Sequence, residues 1–325
     1  MTSPAPLSRR DFLIRGSLGV AGIGLGHVPV PLRPVPNPGE SRAFRGQERF
    51  PVVASEPWGR LLRIADGVWA LESSPMQDRT TLCNGGIIAG RAGVVVVEAF
   101  GSDEGARWMA SQAERLAGSP PTHVVLTHHH GDHTAGLRGA AETPGLVVLA
   151  TAATLDRVPG RPNDPDGAAP AEFRIIGEGR PTELDLGDRS LLLVPRSGHT
   201  ASDLTVEVFD ASIVFCGDLV WNGMFPNYVD AMPERLSQTV RVLGARRADL
   251  YVSGHGTVAN APALERYLAL LDHVEEAARN ALAEGWTAEE AGARYRLPAE
   301  TEDWTLFNPG YFARAIGAWM TELSG

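Results

Sequence analysis

The stretch Thr127-His-His-His-Gly-Asp-His133 decides how this chain is read. It follows the apolar run His123-Val-Val-Leu126, which is strand-like, so the cluster falls where a buried strand ends and a loop begins. Four potential metal ligands, His128, His130, Asp132 and His133, lie within six residues. In an extended segment, residues two apart share a side. His128 and His130 can therefore grip one ion together while His129 faces away. Asp132 and His133, on the following turn, can reach a second ion. Imidazole with carboxylate suits zinc, iron or manganese. An ion with an open position makes hydroxide available near neutral pH.

Three more ligands stand farther along. His199 lies in Ser197-Gly-His-Thr200, Asp218 in Phe215-Cys-Gly-Asp-Leu219 and His255 in Ser253-Gly-His-Gly256. Each follows a short apolar run and sits beside glycine, which lets the backbone turn sharply and approach an ion. Five histidines and two aspartates thus fall at strand ends in one pattern. His27, His123 and His273 stand outside it and read as ordinary hydrogen-bonded residues.

In this order the motifs resemble those of the metallo-β-lactamase superfamily: His-x-His-x-Asp-His, then Gly-His-Thr, then Gly-Asp, then Gly-His-Gly, over roughly residues 60–260. Ile64-Ala-Asp-Gly-Val-Trp-Ala-Leu71 is similar to the family's first strand, and Gly85-Gly-Ile-Ile-Ala-Gly90 with Val94–Val97 to the hairpin after it. The resemblance implies an α/β fold, an αβ/βα four-layer sandwich with metals at the sheet edge. It also implies a ligand set. His128, His130 and His199 would hold one ion, Asp132, His133 and His255 a second, and Asp218 would bridge them. The sequence departs from the family at Glu98-Ala-Phe100, where many members carry Asp and then a small polar residue.

Asp218 stands where the cysteine-containing β-lactamases have Cys, as in glyoxalase-II-like and lactonase-like hydrolases. Cys216, two positions earlier, reads as a small buried residue. The implied activity is that of a hydrolase with two zinc ions (or iron or manganese). It would attack an ester, thioester, lactone or amide, with Asp132 orienting the nucleophile and shuttling a proton. Flavodiiron members place Glu where His130 stands, which disfavours their oxygen chemistry. Two rivals remain: a persulfide dioxygenase with one iron on residues like His128, His130 and His199, and a non-catalytic periplasmic accessory protein.

Composition narrows the field. The chain has 325 residues, 43% of them hydrophobic, enough for a large core. All 29 basic residues are arginine and the net charge is −10, a poor basis for binding nucleic acid. Ser8-Arg-Arg-Asp-Phe-Leu13, followed by a mildly apolar, glycine-rich run, resembles a twin-arginine signal. It implies the export machinery as a partner, a periplasmic or secreted protein, and membrane contact only through an uncleaved N-terminus. Two cysteines, Cys83 and Cys216, permit a disulfide without implying one.

The domain reading is a signal or anchor at 1–30, a proline-rich linker at 31–55, the metal-binding domain at 56–260 and a helical extension packed on it at 261–325. Strand-like runs fall at 61–71, 82–89, 93–98, 123–127 and 146–150, then at 173–177, 190–195, 204–209, 212–216 and 249–252. Helical patterns fall at 103–117, 134–142, 233–247, 261–284 and 309–323, and Thr287-Ala-Glu-Glu290 reads as a capping box. The loop Val158–Ala171 reads as a surface insertion. The aromatics after the bridging Asp, Trp221, Phe225 and Tyr228, read as a substrate wall, and Asn84 and Tyr228 as donors to an oxyanion.

Overall fold

The computed structural model describes residues 50–74 and 79–325. The twin-arginine segment and most of the linker lie outside them. The first sheet has eight strands in sequential order: β1 (Val52–Glu56), β2 (Gly59–Ala65), β3 (Val68–Ser73), β4 (Gly85–Gly90), β5 (Gly93–Val97), β6 (His123–Val125), β7 (Val147–Thr151) and β8 (Glu172–Ile176). It is antiparallel from β1 to β5 and parallel from β5 to β8. The second sheet runs in the order β13-β12-β11-β10-β9. Its strands are β9 (Thr182–Asp185), β10 (Ser190–Arg196), β11 (Asp203–Val208), β12 (Ile213–Asn222) and β13 (Leu250–Gly256).

The helices are α1 (Asp103–Ala117), α2 (Gly131–Thr134), α3 (Leu137–Ala140), α4 (Ala152–Leu155), α5 (Pro233–Ala245), α6 (Ala261–Glu284), α7 (Ala288–Arg294) and α8 (Tyr311–Ser324). Capping sets their ends. The Ser102 side chain accepts from Gly105 N to start α1, and Gly118, at φ 78°, closes it in the left-handed region open to glycine. The expected capping box opens α7: Thr287 and Glu290 each bond the other's backbone.

Alternation along the strands builds the layers. Leu62, Ile64, Val68, Ile88, Val95, Val97 and Val125 of the first sheet meet Leu191, Leu193, Leu204, Val206, Val208, Phe215 and Val252 of the second. On the outer face of the first sheet, Leu61, Leu71, Ile87, Val96 and Val124 pack with Ala106 and Met109 of α1. On the outer face of the second, Val214, Cys216 and Tyr251 pack with α5, α6 and α8. Helix, sheet, sheet and helix form the four layers expected. Each buried Val, Leu or Ile contributes about 1.5–3 kcal/mol. No helix of the described residues is long and apolar enough to cross a membrane.

Several boundaries differ from the sequence reading. The run 61–71 is two strands, because Asp66-Gly67 makes a two-residue hairpin with Gly67 at φ 64°. Residues 52–56, read as linker, pair with β2 as an edge strand. The helix expected at 134–142 is instead α2 and α3, broken at Gly136, where a side chain would strike the backbone of Ala99 and Ser102. The polar edge strand β9 carried no apolar signal. β12 continues to Asn222, six residues beyond the expected end at 216, paired with β13 through Trp221 and His255.

Phe215 packs closely across the two sheets, since a Cβ on Gly86 of the facing sheet would collide with its ring. Phe215→Ala should cost about 3–5 kcal/mol, by lost burial plus a cavity that two stiff sheets cannot close. Denaturant titration measures it, and a loss below about 1 kcal/mol would contradict this packing.

Candidate metal centre

The cluster forms beside the ends of β6, β10 and β13, with Asp218, expected at a strand end, standing instead in the middle of the longer β12. The segment after β6 brings His128 and His130, and α2 brings Asp132 and His133. The turn after β10 brings His199, β12 brings Asp218 and β13 brings His255. Close approach requires glycine here. Gly217, at φ 52°, faces the Thr127 side chain, and a Cβ on Gly254 would overlap the Asp218 carboxylate.

All seven predicted ligands meet, in two groups sharing Asp218: His128, His130, His199 and Asp218, and Asp132, His133, Asp218 and His255. In the first, His130 Nδ1 lies 3.1 Å from His128 Nε2 and 3.0 Å from His199 Nε2. Asp218 Oδ2 is 3.3 Å from His199 Nε2 and 4.0 Å from His128 Nε2. In the second, Asp218 Oδ1 lies 3.1 Å from His133 Nε2 and 3.3 Å from His255 Nε2. Asp132 Oδ2 lies 3.2 Å from His255 Nε2. The two oxygens of one carboxylate thus face different groups.

The donors fit a pair of cations. Three imidazole nitrogens converge on one point, and His133 Nε2 and Asp218 Oδ1, which face each other in the second group, are buried without hydrogen-bond partners. Buried polar atoms are seldom left so. The set of imidazole and carboxylate with no sulfur suits zinc, iron or manganese.

An outer ring of carboxylates, which sequence reading did not identify as such, fixes the rings. Asp230 Oδ2 sits 2.8 Å from His130 Nε2, so the ring donates there and turns its Nδ1 lone pair inward. His129, expected to face away, also approaches Asp230, at 3.5 Å. Glu98 accepts from Thr127 N and Oγ1, and its Oε1 lies 3.1 Å from His133 Nδ1. The departure from the family pattern at Glu98 therefore still brings a carboxylate to His133. Asp203 accepts from His199 N at 3.0 Å and from Thr200 Oγ1 at 2.7 Å, holding the His199 turn. Only Asp203, four residues after His199, had a local signal.

The expected substrate residues are placed otherwise. Asn84 is buried: it accepts from Ser73 N and donates to Ser253 O and Gly256 O, joining the two sheets, so its donors are already used. Phe225 packs against Phe312 and Tyr295, and Tyr228 lies in the same helical layer, so both are core. Trp221 reaches the site but is buried, its ring 4.1 Å from that of His255. Long β12 and the helices over it turn that aromatic run inward. The exposed apolar residues of the segment are Val229 and Met232, flanking Asp230. Cys83 and Cys216 are free and buried. His123 and His273 are hydrogen-bonded, to Thr122 and Tyr295, as expected.

With this geometry in hand, comparison with known proteins is direct. The family model described as "Metallo-beta-lactamase superfamily" matches residues 79–255, and the chain belongs to that superfamily. A hydroxyacylglutathione hydrolase of Cereibacter sphaeroides is 34% identical over 142 residues, 43% of this chain and 51% of that protein. One of Acidiphilium cryptum is 30% identical over 211 residues, 64% of this chain and 78% of that protein. The chain spans about half the length of the Cereibacter sphaeroides relative. Among solved structures, a metallo-beta-lactamase from Pontibacter korlensis superposes with TM-score 0.54 at 22% identity, covering 66% of this chain and 99% of that one. The sec-alkylsulfatase Pisa1 from Pseudomonas sp. gives 0.60 at 16% identity, covering 81% of this chain and 50% of that one. These likenesses establish the shared fold.

Electrostatics differ between the two groups. Burial holds His128 well below its usual range and His199 at about 3. Burial also opposes charge on His133 and His255, but it is outweighed, at His133 by Cys83 and then Asp218, Glu98 and Asp132, and at His255 by Asp218 and Asp132, so both are raised, His255 to about 9. In the apoprotein His128 and His199 are thus proton-free at neutral pH, whereas His133 and His255, in the second group, hold protons that balance the carboxylates beside them, the one on His255 leaving as pH rises through about 9. A cation entering there must displace them. Equilibrium dialysis against buffered zinc should show the affinity of the second group falling more steeply than that of the first as pH drops from about 8 to about 6. The same pH dependence for both ions would contradict this order. Separately, Asp230→Ala should weaken the three-histidine group by about 10–100-fold in chelator competition, and unchanged affinity would remove Asp230 from the centre.

Proposed function

We propose that this chain is a binuclear metal-dependent hydrolase of acyl bonds, with thioesters the first class to test. One observation carries the reading: Asp218 turns Oδ2 to His128 and His199 and Oδ1 to His133 and His255, the disposition of a bridging carboxylate. The names of the relatives, hydroxyacylglutathione hydrolases, favour a glutathione thioester within the range of ester, thioester, lactone and amide.

Two cations held by these residues would supply an electrophile for the carbonyl oxygen and an activated water near neutral pH. The protein's own groups do the rest. Asp132 is 29% exposed, whereas Asp218 is 3% exposed, so Asp132 is the carboxylate that can meet substrate. Burial pushes the Asp132 carboxyl up, but His133 and His255 outweigh it and hold it at about 2. It is therefore ionised at neutral pH and can accept a hydrogen bond from the attacking water, then pass the proton to the leaving group. Trp221 covers His255 from behind and keeps water off that ring. A persulfide dioxygenase would need only His128, His130 and His199; the second complete group supports the hydrolase instead.

Asp218→Ala should release at least one ion, because two cations would face each other without the intervening charge. Hydrolysis of a hydroxyacylglutathione should fall at least about a hundredfold, beyond what an outer-shell change causes. Metal analysis with thioester kinetics checks this. Full loading and a normal rate in the variant would sink the bridging role. An inactive, two-ion wild type on thioesters, esters, lactones and amides would sink the hydrolase.

A further inference from the structure

A third group of ligand atoms lies outside the two that share Asp218. His129, His130 and Asp230 bring a nitrogen each and a carboxylate oxygen within 4.8 Å of one another. Asp230 Oδ2 is 2.8 Å from His130 Nε2 and 3.5 Å from His129 Nε2. Ligands held about 2.0–2.2 Å from a tetrahedral cation stand about 3.3–3.6 Å apart, so small shifts admit an ion there. The parts are fixed beforehand. Thr134 Oγ1 donates to His130 O at 2.9 Å, holding the turn that carries both histidines. Met232 N donates to Gly198 O at 2.9 Å, pinning the chain beside Asp230 to the turn of His199.

Exposure sets an order. The side chains of His128 and His199 are 1% exposed, whereas those of His129, His130 and Asp230 are 20%, 16% and 49% exposed. An ion arriving from water therefore meets the third group before the first. His130 belongs to both, with Nε2 in the third and Nδ1 in the first. A neutral imidazole has one lone pair and one N–H, so this ring cannot bind an ion in each group at once.

We propose that His129, His130 and Asp230 form a loading site, which takes a divalent cation from solvent and passes it to the three-histidine group. While the ion sits outside, His130 lends it the Nε2 lone pair and keeps a proton on Nδ1. On transfer Nδ1 gives that proton to water and binds the ion. Nε2 takes a proton from water and returns to its hydrogen bond with Asp230, so the ring gains and loses none overall. The filled chain thus keeps two ions rather than three. This rests on the two-ion centre above, and not on the bond that the centre cleaves.

His129→Asn tests the loading site, since His129 belongs to neither central group. In stopped-flow mixing of apoprotein with one equivalent of cobalt(II), read by the visible absorption of the bound ion, uptake should slow about tenfold. A loading path speeds entry and exit alike, so affinity in chelator competition should stay within about twofold. In crystals of His199→Ala, whose first group cannot close, a zinc soak should leave an anomalous peak between His129, His130 and Asp230. An unchanged uptake rate, an affinity that falls in step with the rate, or no peak at that position each overturns the proposal. A wild type that binds no cobalt overturns the metal centre as well, whereas full loading at an unchanged rate in His129→Asn overturns the loading site alone.

Discussion

One carboxylate buried between two groups of imidazoles sets the terms for the rest of this structure. Asp218 is almost wholly removed from water. Such a charge is costly unless partners surround it. Four rings face its two oxygens, and burial, which alone would protonate it, is outweighed by His255, His133 and His199, so its carboxyl stays well below the usual range. The surrounding fold makes this possible. β12 runs fully buried and delivers Asp218 from the middle of the strand, β13 beside it delivers His255, and glycine at 254 leaves room for the carboxylate while glycine at 217 leaves room for Thr127. Asn84 ties the two sheets together beside it.

The clustering of these histidines and aspartates was legible in the sequence for a chemical reason. Imidazole and carboxylate at the ends of apolar runs have few other uses, and a strand end tells where the side chain will emerge. His128, His130, Asp132 and His133 needed only local geometry, while His199, Asp218 and His255 were found because each stands beside glycine. Apart from Asp203, the outer carboxylates gave no such signal. Asp230 lies one hundred residues from His130, and a surface Asp between Val229 and Ala231 looks like any other. Glu98 was noticed only as a departure from a family pattern, without its contact to His133.

The aromatics after Asp218 show where composition misleads. Trp221, Phe225 and Tyr228 are as dense near a ligand as a substrate wall would be, yet density does not say which way rings turn. That depends on how far β12 continues and on what covers it, and the cover comes from helices some forty to ninety residues later. Layer order, by contrast, was readable, because two sets of apolar strand-like runs interspersed with helical patterns, together with the family resemblance, already imply two sheets face to face with helices outside. Hairpin and edge boundaries were lost where one turn residue pair, Asp66-Gly67, or a polar edge, Thr182–Asp185, had no apolar contrast to mark it.

The backbone at Glu98 and Phe100 adopts φ of 79° and 64°, left-handed values that a side chain tolerates at roughly 1–2 kcal/mol each. Glycine would relax both. At 98 that relief would remove the carboxylate beside His133 and Thr127. Selection for heat resistance alone would thus pull position 98 toward glycine, while selection for a loaded centre would pull it back. The strained loop marks a point where durability and metal retention compete for the same residue.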